Sequence, residues 1–333
     1  MERSAPLLTI IIPVYNGGEA LRRCLAAVWA STFRDWELVV VDDGSTDDSA
    51  EIAHHFRAQV WHTPQRAGPA AARNLGATHA AGRYLFFLDA DCELHPDSLS
   101  RAAALLSADP TLAALFGAYD DAPAAPNFIS QYKNLLHHYT HQTARPDAAT
   151  FWAGCGVIRR DVFQAIGGFD AARYPRPAVE DIELGYRLRA AGQRIRLARE
   201  VQVKHLKRWT VVGLLRSDIR DRALPWARLW LALGDRRPPA DLNLRWSARL
   251  SVPALALMAA RLWPARRRKW ARWLSAWGGL TLLALNAPLY LFFFRQKGLV
   301  FTLGAIAWHW LSYAYSGAAL LWAALTPAAS SDA

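Results

Sequence analysis

Cysteine is scarce in this 333-residue chain: there are three, Cys24, Cys92 and Cys155, far apart and without the close spacing of a metal site. This excludes a disulfide scaffold and a cysteine-based zinc module, and suits buried thiols in a reducing compartment. A secretory signal is also missing, because the apolar run in MERSAPLLTIII is short and is broken by Pro13. Nothing there is expected to export the N-terminal part. No Gly-x-Gly-x-x-Gly turn follows the first apolar run; PVYNGG stands in its place, which argues against a nicotinamide-dependent oxidoreductase. Charge is absent from two long stretches, residues 273–294 and 298–331.

What is abundant points the other way. The chain is 53% hydrophobic, carries 15 Trp, and has a formal net charge of +11 with a pI near 9.9. A basic excess suits an anionic partner. Here the Arg-rich segments sit beside Trp and long apolar stretches, so a lipid surface accounts for them and no nucleic acid is required.

Along the first part, apolar runs alternate with helical patterns. LLTIIIPVY reads as a buried strand and residues 19–31 as a helix with Leu21, Leu25 and Val28 on one face. WELVVV reads as a second strand, with Ser45 or Thr46 available to cap the helix after it. A short strand near Val60, an Ala-rich helix over 70–81, the strand RYLFFLD and a helix starting near Pro96 follow. The pattern predicts an α/β domain with a parallel sheet covered on both faces, and such sheets bind ligands beyond the carboxyl ends of their strands. Residues 119–150, rich in Pro, His and Tyr, read as a loop-bearing insert on the acceptor side. Order resumes at FWAGCGVIRR and in a helix through EDIELGYRLRAAG ending at Gly192.

After residue 209 the character changes. Residues 210–234 read as an amphipathic helix, kinked near Pro225, within a basic and interfacial region over 210–272. Residues 273–294 and 298–325 each reach the ~20 apolar residues that cross a ~30 Å hydrocarbon layer. Arg295-Gln-Lys-Gly between them suits a tight hairpin. The cluster WPARRRKWARW before the first span is expected to stay on the cytoplasmic side, leaving both ends there. This gives a multi-pass protein of a bacterial-type cytoplasmic membrane. LSVPALALMAA, from Leu250, is too short to span comfortably and reads as interfacial or re-entrant.

Acidic residues cluster at the ends of the buried strands. Asp89 and Asp91, two positions apart after RYLFFL, lie on one side of the pleat and can share a hard divalent cation with a diphosphate and water. Asp42 and Asp43 close WELVVV, where a carboxylate can accept from a base N–H or a ribose hydroxyl, or serve only in a turn. Arg73, on a helix of small residues, suits a diphosphate or base contact. Glu180 and Asp181 open a helix, where a carboxylate is either dipole-complementary or a general base for an acceptor hydroxyl. His205 is either a third metal ligand or a surface histidine.

Together IIIPVYNGG, VVVDDGSTDDS, GPAAARNLGA, FFLDADC and EDIELGYRLRAAG resemble, in that order, the family 2 glycosyltransferases, over about residues 8–209. The resemblance implies the GT-A fold: a Rossmann-like nucleotide-diphospho-sugar transferase domain over 1–209, here followed by a helical membrane region. It implies Mg²⁺ or Mn²⁺ as cofactor and inverting transfer from a nucleotide diphosphate sugar. Residue by residue, Pro13 and Tyr15 would contact the nucleotide, Asp42 or Asp43 the base, and Arg73 the base or phosphate. Asp89 and Asp91 would form the metal motif, His205 would complete it, and Asp181 would be the catalytic base. Glu180, Arg208 and Trp209 fall on the acceptor side. Processive members carry Gln-x-x-Arg-Trp; here His205 occupies the Gln position before Arg208-Trp209, which implies a single transfer per encounter. The membrane region implies a lipid-linked saccharide or glycolipid acceptor. A polyprenyl phosphate acceptor, or a non-catalytic nucleotide-sugar-binding scaffold, are the alternatives.

Overall fold

The computed structural model describes residues 5–237, 239, 241–242, 245–259 and 269–326. They divide into two compact units, Met1–Thr210 and Val211–Ala333.

The first unit is built on one nine-stranded sheet. Strands β1 (Leu8–Val14), β2 (Trp36–Asp42), β3 (Gln59–His62) and β4 (Tyr84–Leu88) run parallel in the order β3-β2-β1-β4. Their apolar runs explain this, since a strand buried on both faces has no polar alternation. On β1, Leu8, Ile10, Ile12 and Val14 join one core with Leu21, Leu25 and Val28 of helix α1 (Gly18–Ala30). Ile11 faces the other way and meets Gly76 of helix α3 (Pro69–Thr78). Helices α2 (Ser49–His55) and α4 (Ser98–Ala108) complete the alternation.

The four strands expected to run parallel do so, and the sheet becomes mixed beyond β4. Strand β8 (Cys155–Arg159) runs antiparallel to both β4 and β6 (Leu112–Tyr119). Strand β6 is parallel to the long β9 (Arg194–His205), which pairs antiparallel with β5 (Cys92–Leu94) and with the two-residue β7 (Asp147–Ala148). Strand β9 is not among the strands expected, although the alternation of Arg, Gln and Lys with its buried Ile195, Leu197, Val201 and Val203 is the period-two signal of a half-buried strand. The stretch expected as a loop-bearing insert contains a 16-residue helix, α5 (Phe128–Thr143), with Ile129, Tyr132 and Leu135 buried. Its three His and flanking prolines hid the apolar period.

Helix α2 also differs from expectation at its start. Ser45 and Thr46 do not cap α2, whose first residue is Ser49. Instead the loop is laced to the end of β1: Asn16 N–H donates to Ser45 Oγ at 2.9 Å, Gly17 N–H to Ser49 Oγ at 2.9 Å and Gly18 N–H to Asp47 Oδ2 at 3.0 Å.

The second unit is helical. Helix α8 (Val211–Arg216) passes through a π-helical turn, Ser217–Ala223, into α9 (Leu224–Leu233), with Pro225 in the first turn of α9. The bend expected at Pro225 is thus accommodated by the wider turn ahead of it. Helix α10 (Trp246–Met258) contains the short apolar segment, and residues 260–268, most of the basic cluster, lie outside the described residues.

Helix α11 (Lys269–Leu325) is long and apolar enough to cross a membrane, and its two halves meet at a non-helical Gly298 with φ +78°. The halves fold back on each other, because Phe293 meets Phe301, Tyr290 meets His309, and Tyr313 donates to Asn286 Oδ1 at 2.9 Å. Asn286 Nδ2 also donates to Ser251 Oγ of α10 at 3.0 Å. One amide therefore ties three helical segments in surroundings where an unpaired polar group is costly.

Candidate active site

Two of the acidic motifs, Asp42-Asp43 and Asp89-Ala90-Asp91, sit where a strand ends. Asp42 is the last residue of β2 and Asp43 follows; both are buried. Asp42 Oδ1 accepts the Ser45 N–H at 2.9 Å, and His62 Nδ1, at the end of β3, lies 3.3 Å from its other oxygen. Asp43 accepts from Thr63 Oγ1, from Ala67 N–H and from Gly68 N–H, at 2.8, 2.7 and 2.8 Å. Its carboxylate thus straps the loop 63–68 against β2 and supplies the negative charge at the start of α3. Tyr15, just past β1, is half exposed, and the Arg66 guanidinium lies 3.7 Å from its ring centre. Pro13, paired in register with Val41, lies at the same sheet edge.

Gly68 is placed by two constraints. Its φ is +87°, and an added Cβ would fall 2.5 Å from the Pro175 carbonyl oxygen. Gly68→Ala is therefore expected to destabilise the fold by roughly 2 kcal/mol or more, from positive-φ strain plus a backbone clash. Urea denaturation of the purified chain measures this.

Arg73 was expected to face donor phosphate or base. The structure buries it between two carboxylates: Nη2 donates to Asp89 Oδ1 at 2.7 Å and Nη1 to Glu180 Oε1 at 3.0 Å. This joins the end of β4 to the first turn of helix α7 (Glu180–Ala190). The second Glu180 oxygen accepts the Ala178 N–H at 2.9 Å.

Asp181, half-buried, is held by backbone donors: Oδ2 accepts from Ala153 N–H at 3.2 Å and Oδ1 from Ile182 N–H at 2.8 Å. Gly185 makes this contact possible, since a methyl there would overlap the backbone of Thr150 and Phe151. Burial, and next the Glu180 charge, push the Asp181 carboxyl up to about 7, against the opposing pull of Arg73. A carboxyl in that range accepts a proton near neutral pH, as a general base requires.

The pairing of Cys92 with His205 across β5 and β9 brings His205 beside Asp91, with Nε2 3.6 Å from Oδ2. Burial works to raise the Asp91 carboxyl, but the nearby His205, helped by Lys207, holds it below the usual carboxylate range. The His205 ring stacks on Tyr119 at 4.4 Å. Tyr119 in turn meets Trp152 edge-on at 4.7 Å, one residue from the Ala153 that holds Asp181.

Among the described residues no three His, Cys, Asp or Glu side chains form a ready-made metal cluster. The donor set fits a divalent cation in part: Asp89 keeps one oxygen clear of Arg73, and Asp91 and His205 add a carboxylate and an imidazole. Hard cations of this kind draw their remaining ligands from substrate phosphate and water.

Of the acceptor-side residues, Arg208 is exposed, whereas Trp209 is buried, accepts from Asn127 Nδ2 through its carbonyl, and donates its N–H to Ser130 Oγ. Trp209 is thereby tied to α5. Sequence reasoning missed Asn74, whose amide exchanges two hydrogen bonds with the Phe169 backbone at 2.8 and 2.9 Å, and Arg187, which bonds Glu183 and the Ile166 and Gly168 carbonyls. Asn74 directly follows Arg73, and a polar residue there among alanines was the available signal. The three cysteines are buried and free, and burial raises all three thiols, Cys155 to about 12, so they are not nucleophiles.

The fold defines an α/β domain with its acidic residues gathered at the carboxyl edge of the parallel strands. Residues 9–167, just under half of the chain, match Glycosyl transferase family 2, and the first unit has the GT-A fold. It is similar to an uncharacterized glycosyltransferase, YibD, of Escherichia coli, with 38% identity over 100 residues, 29% of each chain. It is 28% identical over 269 residues to a pre-mycofactocin glycosyltransferase of Mycobacterium tuberculosis, covering 76% of this chain and 51% of that one. Among solved structures, the mannosyltransferase PcManGT of Pyrobaculum calidifontis, in complex with GDP-Man and Mn²⁺, shares the fold. Its TM-score is 0.59 at 19% identity, covering 95% of this chain and 87% of that one. The chain thus spans from under a third to about half the length of these curated relatives.

Proposed function

We propose that the protein transfers a sugar from a nucleotide diphosphate sugar, with inversion, to a hydroxyl of a membrane-associated acceptor such as a polyprenyl-linked saccharide or glycolipid, once per encounter. The observation that carries this reading is the convergence, through Arg73, of the Asp89 end of β4 with the Glu180–Asp181 start of α7. The donor side is then the strand-end cluster of Pro13, Tyr15, Asp42 and Asp43, with Asp42 placed to accept from the base or ribose and Asp43 shaping the loop around it.

Asp89, Asp91 and His205 would hold Mg²⁺ or Mn²⁺, which supplies positive charge to the departing diphosphate. The PcManGT complex with GDP-Man and Mn²⁺ supports a divalent ion in this fold. Asp181 takes the proton of the acceptor hydroxyl. The freed oxygen bonds to the anomeric carbon as its bond to the diphosphate breaks, and the electron pair leaves on the nucleotide diphosphate. Backbone N–H groups of Ala153 and Ile182 fix Asp181 for this task, so that little reorganisation accompanies proton transfer. The apolar α11 supports anchoring in a bacterial-type cytoplasmic membrane by two passes, with the catalytic unit on the cytoplasmic side.

Nucleotide release from UDP-, GDP- and dTDP-sugars by detergent-purified protein, with and without Mn²⁺ or Mg²⁺, tests this. Slow, metal-dependent release with one nucleotide is the expected result. A folded protein that neither binds nor hydrolyses any nucleotide sugar would overturn it.

A further inference from the structure

We infer that Arg73 is a positioning residue that links the metal-side carboxylate Asp89 to the acceptor-side carboxylate Glu180, so that the two halves of the site respond to each other. The inference rests on the proposed roles of Asp89 and Asp181 and adds one for Arg73 and Glu180 that neither motif carries alone.

Arg73 and Glu180 are both about 95% buried, and their bond joins residues 107 apart in sequence. The guanidinium spends one terminal nitrogen on each carboxylate, while its Nε is buried without a hydrogen-bond partner among the described residues. A buried fork of this kind has no water to turn to when a partner leaves. The Phe169 ring, 5.6 Å away and fixed by Asn74, closes another side. Glu180 is also fixed, by the Ala178 N–H and by its place in the first turn of α7.

A divalent cation on Asp89 takes up the charge that Arg73 now shares, and it repels the guanidinium. Arg73 must then rely on Glu180, next to the base. Conversely, without the Glu180 charge, Arg73 holds Asp89 as its one carboxylate partner and competes with the cation. Glu180 therefore supports cation binding without touching the cation.

The test is a double-mutant cycle on the detergent-purified full chain, titrating Mn²⁺ alone by electron paramagnetic resonance. Glu180→Gln is expected to weaken Mn²⁺ about tenfold, a coupling of the size seen within one charge network. Arg73→Lys keeps the charge but cannot bridge two carboxylates. In that background Glu180→Gln should cost under about twofold, the part that a bare through-space charge supplies. Unchanged Mn²⁺ affinity in Glu180→Gln, or the same loss with Lys at position 73, overturns the linkage. Asp89→Asn separates the two readings: wild-type Mn²⁺ affinity in that variant overturns the metal role of Asp89 itself. Should Arg73→Lys not fold, urea denaturation of Asp89→Asn, Glu180→Gln and the double variant decides. The double variant leaves Arg73 without a carboxylate partner and must be less stable than the single variants sum to; additivity overturns the proposal.

Discussion

Replacing Asp181 by asparagine is expected to lower sugar transfer by about 10²–10⁴-fold, the usual worth of a general base, while leaving nucleotide-sugar binding close to wild type. The side chain keeps its size, and the proposed donor-side residues lie at the ends of β1 and β2, away from α7 in sequence. Steady-state transfer together with calorimetric donor binding checks both halves of the expectation. Equal loss of binding and turnover would remove Asp181 from the role of base.

The same substitution has a second consequence with a defined sign. The Asp181 carboxyl titrates near 7 in the folded protein, against ~3.9 for a free aspartate. A raised acid binds its proton more tightly when folded. Its contribution to stability is therefore full below about pH 4 and is lost as pH rises through about 7. At pH 8 the wild type carries an ionised, poorly solvated carboxylate beside Glu180, and asparagine relieves it. Part of the gain is returned, because the asparagine amide nitrogen cannot accept one of the two backbone N–H groups that Asp181 now satisfies. The metal-free variant should thus be on the order of 1–2 kcal/mol more stable than wild type at pH 8 and no more stable at pH 5. Thermal unfolding at the two pH values in chelator distinguishes this from a neutral substitution. A variant that loses activity and gains alkaline stability is what a residue kept for chemistry predicts.

The second large effect concerns Asp89. Asp89→Ala, or removal of divalent ions by chelator, is expected to reduce metal-dependent nucleotide release by about 10²–10³-fold, as loss of charge stabilisation at a leaving group does. Chelation should be reversed by adding Mn²⁺ or Mg²⁺, whereas the variant should not be rescued. The variant alone should also lose stability, since Arg73 stays buried with Glu180 as its one carboxylate partner. Asp91 behaves differently. Its carboxyl is held below the usual carboxylate range beside His205 and Lys207, so protonation of Asp91 is not expected to limit divalent-ion binding at neutral pH.

The local parts of this site are legible in the chain because the physics that creates them is local. WELVVVD and YLFFLD are apolar because their strands are buried on both faces, and a carboxylate that ends such a run must lie at the sheet's carboxyl edge. The helix from Glu180 to Ala190 is equally plain, stopping ahead of Gly192 with φ +75°. Less was visible where pattern and packing disagree. Strand β9 alternates charged and apolar residues, which marks a strand but not its partners β5, β6 and β7, and α5 carries three histidines that obscure its apolar period. Without β9 there is no account of why His205 meets Asp91, since the Cys92–His205 register and the Leu206 N–H bond to the Asp91 carbonyl bring the two together.

Composition and order of motifs by themselves determined the α/β class, the acidic strand ends and the two long uncharged apolar stretches. Each follows from burial or periodicity within some twenty consecutive residues. The tertiary structure alone decided what those acids do to one another: that Asp43 is spent on the loop 63–68, that Arg73 faces two carboxylates, and that burial, with the Glu180 charge beside it, raises the Asp181 carboxyl. The reason is physical. Side-chain roles at this site are set by charge and desolvation across strands and helices up to 107 residues apart, and no local pattern encodes which buried charge will meet which.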